Sequence, residues 1–466
     1  MNNNNKNTVT ATDELGSADI KKLLFKLSLP AIAAQIINLL YNLVDRMYIG
    51  HIDKIGKLAL TGMGVCLPLI MIISAFAALI AMGGAPKASI FLGAGNKEGA
   101  KKILGNSVTL LCIISVALTI IFQLFCEDLL MGFGASENTI EYALDYMLIY
   151  SLGTIFVQFT LGLNPFITAQ GFAKTSMLTV VIGAATNIVL DPIFIFAFGL
   201  GVKGAAIATI LSQCLSMIWI LKFLTGDKTV IKIEKQYLKP SPKVFLPCLA
   251  LGLSPFIMQS TESLIAVCFN SSLYKYGGDI AVGTMTILTS VMQFSMLPIF
   301  GFTQGAQPIM SYNYGAKNPD RVKKVYKALL LVACAYSVIM WILIQLFPSA
   351  FVLIFNDDVA LVAFASNALR IYMAVSCLFG LLISSQQSFV ALGNAKCSLI
   401  VALLRKIICL VPLIYILPNV LTTTDKTTAV FLAEPIADII AIVFTVILFI
   451  FQFKKALRGI DSAKFD

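Results

Sequence analysis

The chain contains twelve long apolar runs separated by short polar segments, and this feature excludes most folds. Each run has at least about 20 residues, enough for a helix to cross the ~30 Å hydrocarbon core of a bilayer. Charged residues make up only 12% of the sequence, whereas a soluble domain carries about 25%. We therefore predict an all-α integral membrane protein with twelve transmembrane helices. The runs occupy residues 27–49, 58–85, 103–125, 142–171, 175–198, 202–223, 245–273, 281–311, 328–347, 361–392, 397–418 and 428–452.

Lysine and arginine gather in alternate loops, and this pattern predicts the orientation of the chain. The rich loops lie near residues 97–102, 222–243, 317–327 and 454–458, while the loops between them are poor in lysine and arginine. Because positively charged loops stay in the cytoplasm, we expect both termini there. The net charge of +10 thus reflects topology. We expect no nucleic-acid partner, since no soluble segment combines basic and aromatic residues.

The second half of the chain repeats the first. MGGAPKASIFLGAGNKEGAKK at 82–102 resembles TQGAQPIMSYNYGAKNPDRVKK at 303–324, with Pro86 opposite Pro308 and Gly93 opposite Gly315, 222 positions later. An even number of spans separates the copies, which predicts two six-helix lobes related by a parallel repeat, with a binding cavity between them. The predicted parts are a cytoplasmic N-terminal tail (1–26), an N-lobe (27–223), a cytoplasmic linker (224–244), a C-lobe (245–453) and a cytoplasmic C-terminal tail (454–466). Residues 20–29 are amphipathic and could lie along the membrane face.

Four polar residues in the N-lobe spans are candidates for ion coupling. Asp45 lies in the first span, Asn187 and Asp191 lie four apart in the fifth, and Thr209 lies in the sixth. Ionisable residues inside a membrane are costly and therefore mark functional sites. Pro192 also frees a backbone carbonyl, so these oxygens suit Na⁺, while a proton would instead neutralise Asp191. We predict a cation or proton site at these four residues, with Na⁺ as the candidate metal.

A polar stripe on the first span is the candidate substrate surface. Gln35, Asn38 and Asn42 share one helical face with Asp45, and such a face serves either helix–helix hydrogen bonding or a cavity. We assign these three residues, with Glu262 of the seventh span, to a substrate cavity between the lobes. Aromatic and methionine side chains of the seventh, eighth and tenth spans are expected to complete its walls.

The C-lobe spans carry a second acidic cluster. Glu434 and Asp438 lie four apart in AEPIAD of the twelfth span, and Arg405 and Lys406 lie at comparable depth in the eleventh. Buried acids normally need partners. The cluster is therefore either functional or a structural group of ion pairs, and we expect Arg405 or Lys406 to pair with at least one acid.

No motif indicates a bound cofactor. The ten cysteines fall singly and the chain has one histidine, a pattern that does not supply the ligands of a structural zinc site. GLGVKG at 199–204 follows no strand, so it is a turn, and no ATP-binding motif is present. The expected energy source is an ion gradient, and a membrane enzyme is disfavoured because a catalytic cluster is lacking.

Six segments carry a resemblance to a known family: LSLPAIAAQIINLLYNLVDRMYIGHI, LGAGNKEGAKK, YGAKNPDRVKK, TNIVLDPIFIF, GVKGAAIAT and LAEPIAD. With them, the sequence resembles the multidrug and toxic compound extrusion (MATE) family, in its MepA-like branch, over nearly its whole length. The resemblance implies a V-shaped pair of six-helix bundles and alternating access. It also implies a coupling site at Asp45, Asn187, Asp191 and Thr209, while the acid found in the tenth span of some branches is missing from 361–392.

The expected function is secondary active antiport that exports cationic amphipathic compounds in exchange for H⁺ or Na⁺. The alternative is a flippase for lipid-linked saccharides or an exporter of an endogenous metabolite, which would need a cavity rich in arginine and lysine if its cargo is anionic. The expected partners are a small cationic substrate and the lipid bilayer. We expect a monomer in the inner (cell) membrane of a bacterium.

Overall fold

The computed structural model describes residues 11–53, 55–421 and 423–460, and helices form nearly all of that part of the chain. The α-helices are α1 (Ala11–Ser17), α2 (Ile20–Gly50), α3 (Gly56–Gly93), α4 (Lys97–Gly132), α5 (Ile140–Leu152), α6 (Thr154–Ala169), α7 (Ala173–Pro192), α8 (Gly201–Thr225), α9 (Pro242–Gly315), α10 (Pro319–Leu346), α11 (Pro348–Val352), α12 (Val359–Tyr372), α13 (Phe379–Ala391), α14 (Ala395–Leu403), α15 (Val411–Val420), α16 (Lys426–Phe431) and α17 (Ala433–Arg458). Two π-helical segments, Ile193–Ala197 and Leu404–Leu410, continue α7 and α14 without a break.

The described helices supply twelve membrane spans. Nine helices or joined helices are long and apolar enough to cross a membrane, and two bent pairs supply one span each, α5–α6 bent by 59° and Val359–Tyr372 with Ser376–Ala391 bent by 44°. Helix α9 has 74 residues and would measure about 110 Å if straight, several times the thickness of the hydrocarbon core. Its helical backbone breaks at Gly278, where φ is 63°, a conformation that glycine adopts readily. Its two arms, 242–277 and 279–315, are therefore separate spans, and the predicted number of twelve is confirmed.

The spans form two lobes, as predicted. Two clusters of buried apolar side chains fill the first half of the chain, one around Met147 and one around Phe166. The main cluster of the second half surrounds Phe269 and Tyr372. Because each half has its own apolar core, each can move against the other with limited internal change.

The repeated motifs pack directly on one another where the lobes meet. A β-carbon added at Gly93 would lie 1.9 Å from the Tyr312 carbonyl oxygen, and one added at Gly315 would lie 1.9 Å from the Ile90 carbonyl oxygen. Ile90 and Tyr312 are themselves 222 positions apart, so the two contacts are images of each other under the repeat. We call this contact between the ends of α3 and α9 the seam. It lies directly before the lysine-rich segments 97–102 and 317–327, which form the starts of α4 and α10 and the turn before α10, so the lobes are closed at that end.

The start of the first span differs from the sequence expectation. Helix α2 begins at Ile20 rather than near residue 27, and it continues unbroken to Gly50. The apolar face of its first turns does not lie on the membrane, because Leu23, Leu24 and Leu27 are buried in a cluster with Phe302 and Ile309 of the other lobe. An amphipathic stretch packs on whichever apolar surface is nearest, and here that surface is protein.

The connection between the lobes is anchored to the N-lobe. Helix α8 ends at Thr225 and α9 begins at Pro242, so residues 226–241 form the observed linker. The side chain of Asn106 accepts a hydrogen bond from the Ser241 backbone nitrogen at 2.6 Å, and Lys101 forms a salt bridge with Glu234. The linker therefore moves with the N-lobe.

Candidate functional site

Three polar side chains of the N-lobe meet inside the protein, on α2 and α7. Asp45, Asn187 and Asp191 have exposed fractions of 6%, 1% and 0%. The Asn187 side-chain nitrogen donates a hydrogen bond to Asp191 Oδ1 at 3.0 Å, as their spacing of four residues on one helix allows. The Asp45 and Asp191 carboxyl groups lie within direct interaction range of each other. We call Asp45, Asn187 and Asp191 the N-lobe acid site.

The N-lobe acid site contains oxygen atoms that the protein leaves without partners. Asp45 Oδ1, Asn187 Oδ1 and Asp191 Oδ2 are buried and accept no hydrogen bond within the described residues. Among the described residues, no lysine or arginine forms a salt bridge with Asp45 or Asp191. Buried polar atoms are almost always satisfied, so three orphaned oxygens together indicate a place for a proton or a small cation.

Thr209 joins this site through a tyrosine. Its hydroxyl donates to the Ala205 carbonyl at 3.0 Å. Its side chain also contacts Tyr146, and Tyr146 lies close enough to Asp45 for the two side chains to interact electrostatically. Tyr41, one turn before Asp45 on α2, also lies close enough to interact electrostatically with the carboxyl groups of Asp45 and Asp191. Sequence reasoning missed both tyrosines, although the four-residue spacing of Tyr41 and Asp45 could have indicated the first.

The polar stripe of α2 leads from the acid site to a cavity. The cavity has a volume of about 220 Å³ and lies between α2, α3, α6, α7 and the second arm of α9. Gln35 and Asn38 line it, whereas Asn42 does not and instead donates its side-chain amide to the Asn38 carbonyl at 2.7 Å. The expected aromatic and methionine wall of the C-lobe is absent from this lining, where the second arm of α9 contributes Gln304, Gln307 and Pro308.

The cavity wall is uncharged. Its described lining consists of amides, hydroxyl groups, methionines and small apolar residues, and it includes no lysine, arginine or acid. Two amide atoms at its wall, Asn164 Oδ1 and Gln307 Nε2, have no hydrogen-bond partner in the described structure. Such a surface can accept an apolar or aromatic body and offer it a few hydrogen bonds.

The C-lobe charges form ion pairs. The π-helical segment after α14 directs Arg405 and Lys406 to different partners. Arg405 contacts Asp438 at 2.7 Å and Glu434 at 3.4 Å on α17, and Lys406 contacts Glu262 on α9 at 2.9 Å. Glu434 and Asp438 are 2% and 1% exposed. The structure thus brings the four residues of the second acidic cluster together and places Glu262 beside them rather than on the cavity.

No group of three histidine, cysteine, aspartate or glutamate side chains that could hold a metal ion occurs among the described residues. Within the described residues, the buried acids form two groups. Two acids and an amide lie in one lobe, and a set of ion pairs lies in the other.

Comparison with known proteins gives the family. The MatE family model matches residues 30–193 and 255–416, one match in each lobe. The chain belongs to the MatE family. Proteins of this family are transporters rather than enzymes, and MatE transporters need no cofactor.

Individual MatE proteins resemble the chain over almost its full length. The multidrug export protein MepA of Staphylococcus haemolyticus is 24% identical over 91% of this chain and 93% of its own. A crystal structure of a MATE protein in the bent conformation matches with a TM-score of 0.90 and 25% identity, over 97% of this chain and 99% of that one. An outward-facing multidrug resistance MATE transporter of the MOP superfamily matches with a TM-score of 0.88 and 26% identity, over 95% and 98% of the two chains.

Proposed function

We propose that this MatE transporter is an antiporter that exports cationic amphipathic compounds and takes up H⁺ or Na⁺ in exchange. The N-lobe acid site and the C-lobe acidic cluster differ in the positive charge that faces them, and this difference supports the proposal. Arg405 and Lys406 form salt bridges with all three C-lobe acids, whereas the N-lobe acid site holds two carboxyl groups with no salt-bridge partner among the described residues. A charge inside the membrane that lacks a fixed partner is favourable only if a mobile one arrives.

The oxygen atoms of the N-lobe acid site fit either coupling ion. Carboxylate and amide oxygens are hard donors that suit small hard cations. Each carboxyl group can alternatively take up a proton and lose its charge. Thr209, which reaches the site through Tyr146, is the remaining proposed contributor. Separately imposed Na⁺ and pH gradients distinguish the two ions.

The substrate binds in the cavity beside the polar stripe. Relatives named multidrug export proteins support a varied substrate class, and the mixed wall of Met82, Met177 and uncharged amides suits compounds of different shapes. The nearby acids favour cations over anions. Gln35 and Asn38 lie on the same helix as Asp45, so ion binding at Asp45 alters the packing of the helix that also forms the cavity wall.

The alternative cargo, an anionic lipid-linked saccharide, fits the cavity less well. Such a cargo needs positive charge at its binding surface, and the described cavity lining contains neither lysine nor arginine. We therefore propose export of cations rather than lipid flipping. We also propose that the lobes comprise the spans within 27–223 and 245–453 and that the protein is a monomer in a bacterial cell membrane. Both termini are placed in the cytoplasm because of the lysine-rich segments.

Transport by purified protein in liposomes tests the coupling. A Na⁺ gradient and a pH gradient are imposed separately, and movement of a fluorescent cationic drug is followed for the wild type and for Asp191→Asn. We expect one gradient to drive drug movement in the wild type and neither to do so in the variant. The amide retains the shape of the side chain but cannot exchange a proton or neutralise a cation.

Asp145→Asn is the matched control. Asp145 lies on the neighbouring helix α5 and forms a salt bridge with Lys203, and it is partly exposed. Because exposed pairs contribute little, this variant should keep gradient-driven transport. Full gradient-driven transport by Asp191→Asn would contradict the proposed role of the N-lobe acid site.

A further inference from the structure

The short N-terminal helix α1 lies across the closed end of the protein and contacts both lobes. It joins α2 through Ala18 and Asp19, and the Asp19 side chain caps α2 by accepting a hydrogen bond from the Lys22 backbone nitrogen at 3.0 Å. Leu15 is completely buried in the apolar cluster that also contains Ala173 of the N-lobe and Ile309 of the C-lobe. Glu14 pairs with Lys26 of α2. The helix is thus an integral part of the packed structure.

The C-lobe binds the C-terminal end of α1 through two side chains. Asn313 donates its side-chain amide to the Leu15 carbonyl at 2.8 Å. Arg321 donates to the Leu15 and Ala18 carbonyls at 3.3 and 2.9 Å and also to Asn313 Oδ1 at 3.0 Å. The last carbonyls of a helix have no partner within it and carry partial negative charge, so an arginine is well suited to hold them.

The N-lobe holds the other end of α1. The Thr12 hydroxyl donates to the Gln170 backbone carbonyl at 2.8 Å. Gln170 is completely buried, and its side-chain oxygen accepts hydrogen bonds from Thr229, Val230 and Ile231 of the linker at 2.7 to 3.0 Å. The first turn of α1 therefore rests on the same residue that anchors the linker to the N-lobe.

We propose that α1 is a latch that holds the lysine-rich end of the transporter closed and must release before that end can open. The latch bonds to Gln170 on one lobe and to Asn313 and Arg321 on the other, on either side of the seam. Hydrogen bonds fail beyond about 3.5 Å, so the lobes cannot separate at this end while both sets of bonds persist. This inference rests on the proposed antiport, because a latch has a role only if that end of the transporter opens during exchange.

The distance between the lobes at this end tests the latch. Lys174 and Lys396 are both exposed and occupy equivalent places in the two lobes, 222 positions apart. Spin labels placed there through non-canonical amino acids leave the ten native cysteines untouched. Electron-spin distance measurements on the full chain in liposomes, without drug and without a gradient, then give the ratio of open to closed populations.

We expect Arg321→Ala to raise that ratio about tenfold, because it removes charge-assisted hydrogen bonds to the latch. Lys324→Ala is the control, since it removes the same charge from an exposed position of the same helix and should leave the distances unchanged. Thr12→Val, which keeps the shape but loses the bond to Gln170, should shift the ratio in the same direction as Arg321→Ala. It also serves as the second variant if Arg321→Ala does not fold.

An unchanged distance distribution in folded Thr12→Val and Arg321→Ala proteins would overturn the latch. Because no drug or coupling ion gradient is used, this result is separate from a failure of the proposed antiport. A protein that moves drug by gradients but shows no shift in these variants lacks the latch. One that shows the shift but moves no drug has the latch and a different cargo.

Discussion

Asp191 and Asp438 are both almost completely buried, but different groups face them. The Asn187 amide donates to Asp191 at 3.0 Å, whereas the Arg405 guanidinium donates to Asp438 at 2.7 Å. A carboxylate costs several kcal/mol to bury unless an opposite charge is present. Asp438 already has that charge and Asp191 does not. At the scale of single residues, this difference is the reason for proposing that Asp191 exchanges an ion and that Asp438 does not.

Removal of Arg405 should therefore be more harmful than removal of the acid that it contacts. We expect Arg405→Ala to lower the stability of the purified protein by about 3–5 kcal/mol, because it leaves buried acids without their partner. Adding Asp438→Asn to Arg405→Ala should recover part of this loss. Thermal unfolding in detergent measures both. If the double variant is no more stable than Arg405→Ala alone, the ion pair is not what stabilises this cluster.

At the scale of helices, the two charge sites share an unusual local feature. The fifth and eleventh spans both change from α-helix to π-helix, at Ile193–Ala197 and at Leu404–Leu410. Such segments are rare and often occur at functional sites. The first follows Asp191 and Pro192 directly, and the second carries Arg405 and Lys406, which reach partners on two different helices. The wider turn changes the direction of side chains that a regular α-helix would align.

The seam between α3 and α9 depends on glycine. A β-carbon at position 315 would lie 1.9 Å from the Ile90 carbonyl oxygen, whereas one at position 283 in the same helix meets nothing within 4 Å. We expect Gly315→Ala to destabilise the closed seam by about 1–3 kcal/mol, as overpacking does, and to slow gradient-driven drug transport. Gly283→Ala should transport normally. Equal transport rates in the two variants would show that close contact at the seam is unnecessary.

The linker should loosen in acid. The hydrogen bond from Lys101 lowers the pKa of Glu234 below its ordinary value of 4.5, so this contact stabilises the docked linker above that pH. The stabilisation is lost as the pH falls through the lowered pKa. Limited proteolysis within 226–241 should therefore speed up below about pH 4.5 relative to Glu234→Gln, in which the site no longer titrates. Identical pH profiles for the two proteins would contradict this role of Glu234.

At the scale of the whole molecule, the sequence predicts the spans well because their length and apolar character follow from the bilayer. It also predicts that Asp45, Asn187 and Asp191 lie together, because ionisable side chains inside a span need polar surroundings. It does not predict that Leu23 and Leu27 pack on the other lobe, since an amphipathic stretch suits a membrane surface equally well. The placement of Gln304 and Gln307 on the cavity was missed for a related reason: the direction of a side chain between two packed lobes depends on contacts far apart in the chain.

The N-lobe acid site is proposed to couple ion binding to drug binding, and the affinity of the protein for drug across pH and Na⁺ concentration tests this coupling. Ion and drug must reduce each other's affinity by the same factor if they are coupled. For the purified wild-type protein, we expect drug affinity to fall as the concentration of the coupling ion rises. For Asp45→Asn and Asp191→Asn, it should change much less over the same range. A wild-type drug affinity that stays constant across pH and Na⁺ concentration would contradict coupling at the N-lobe acid site.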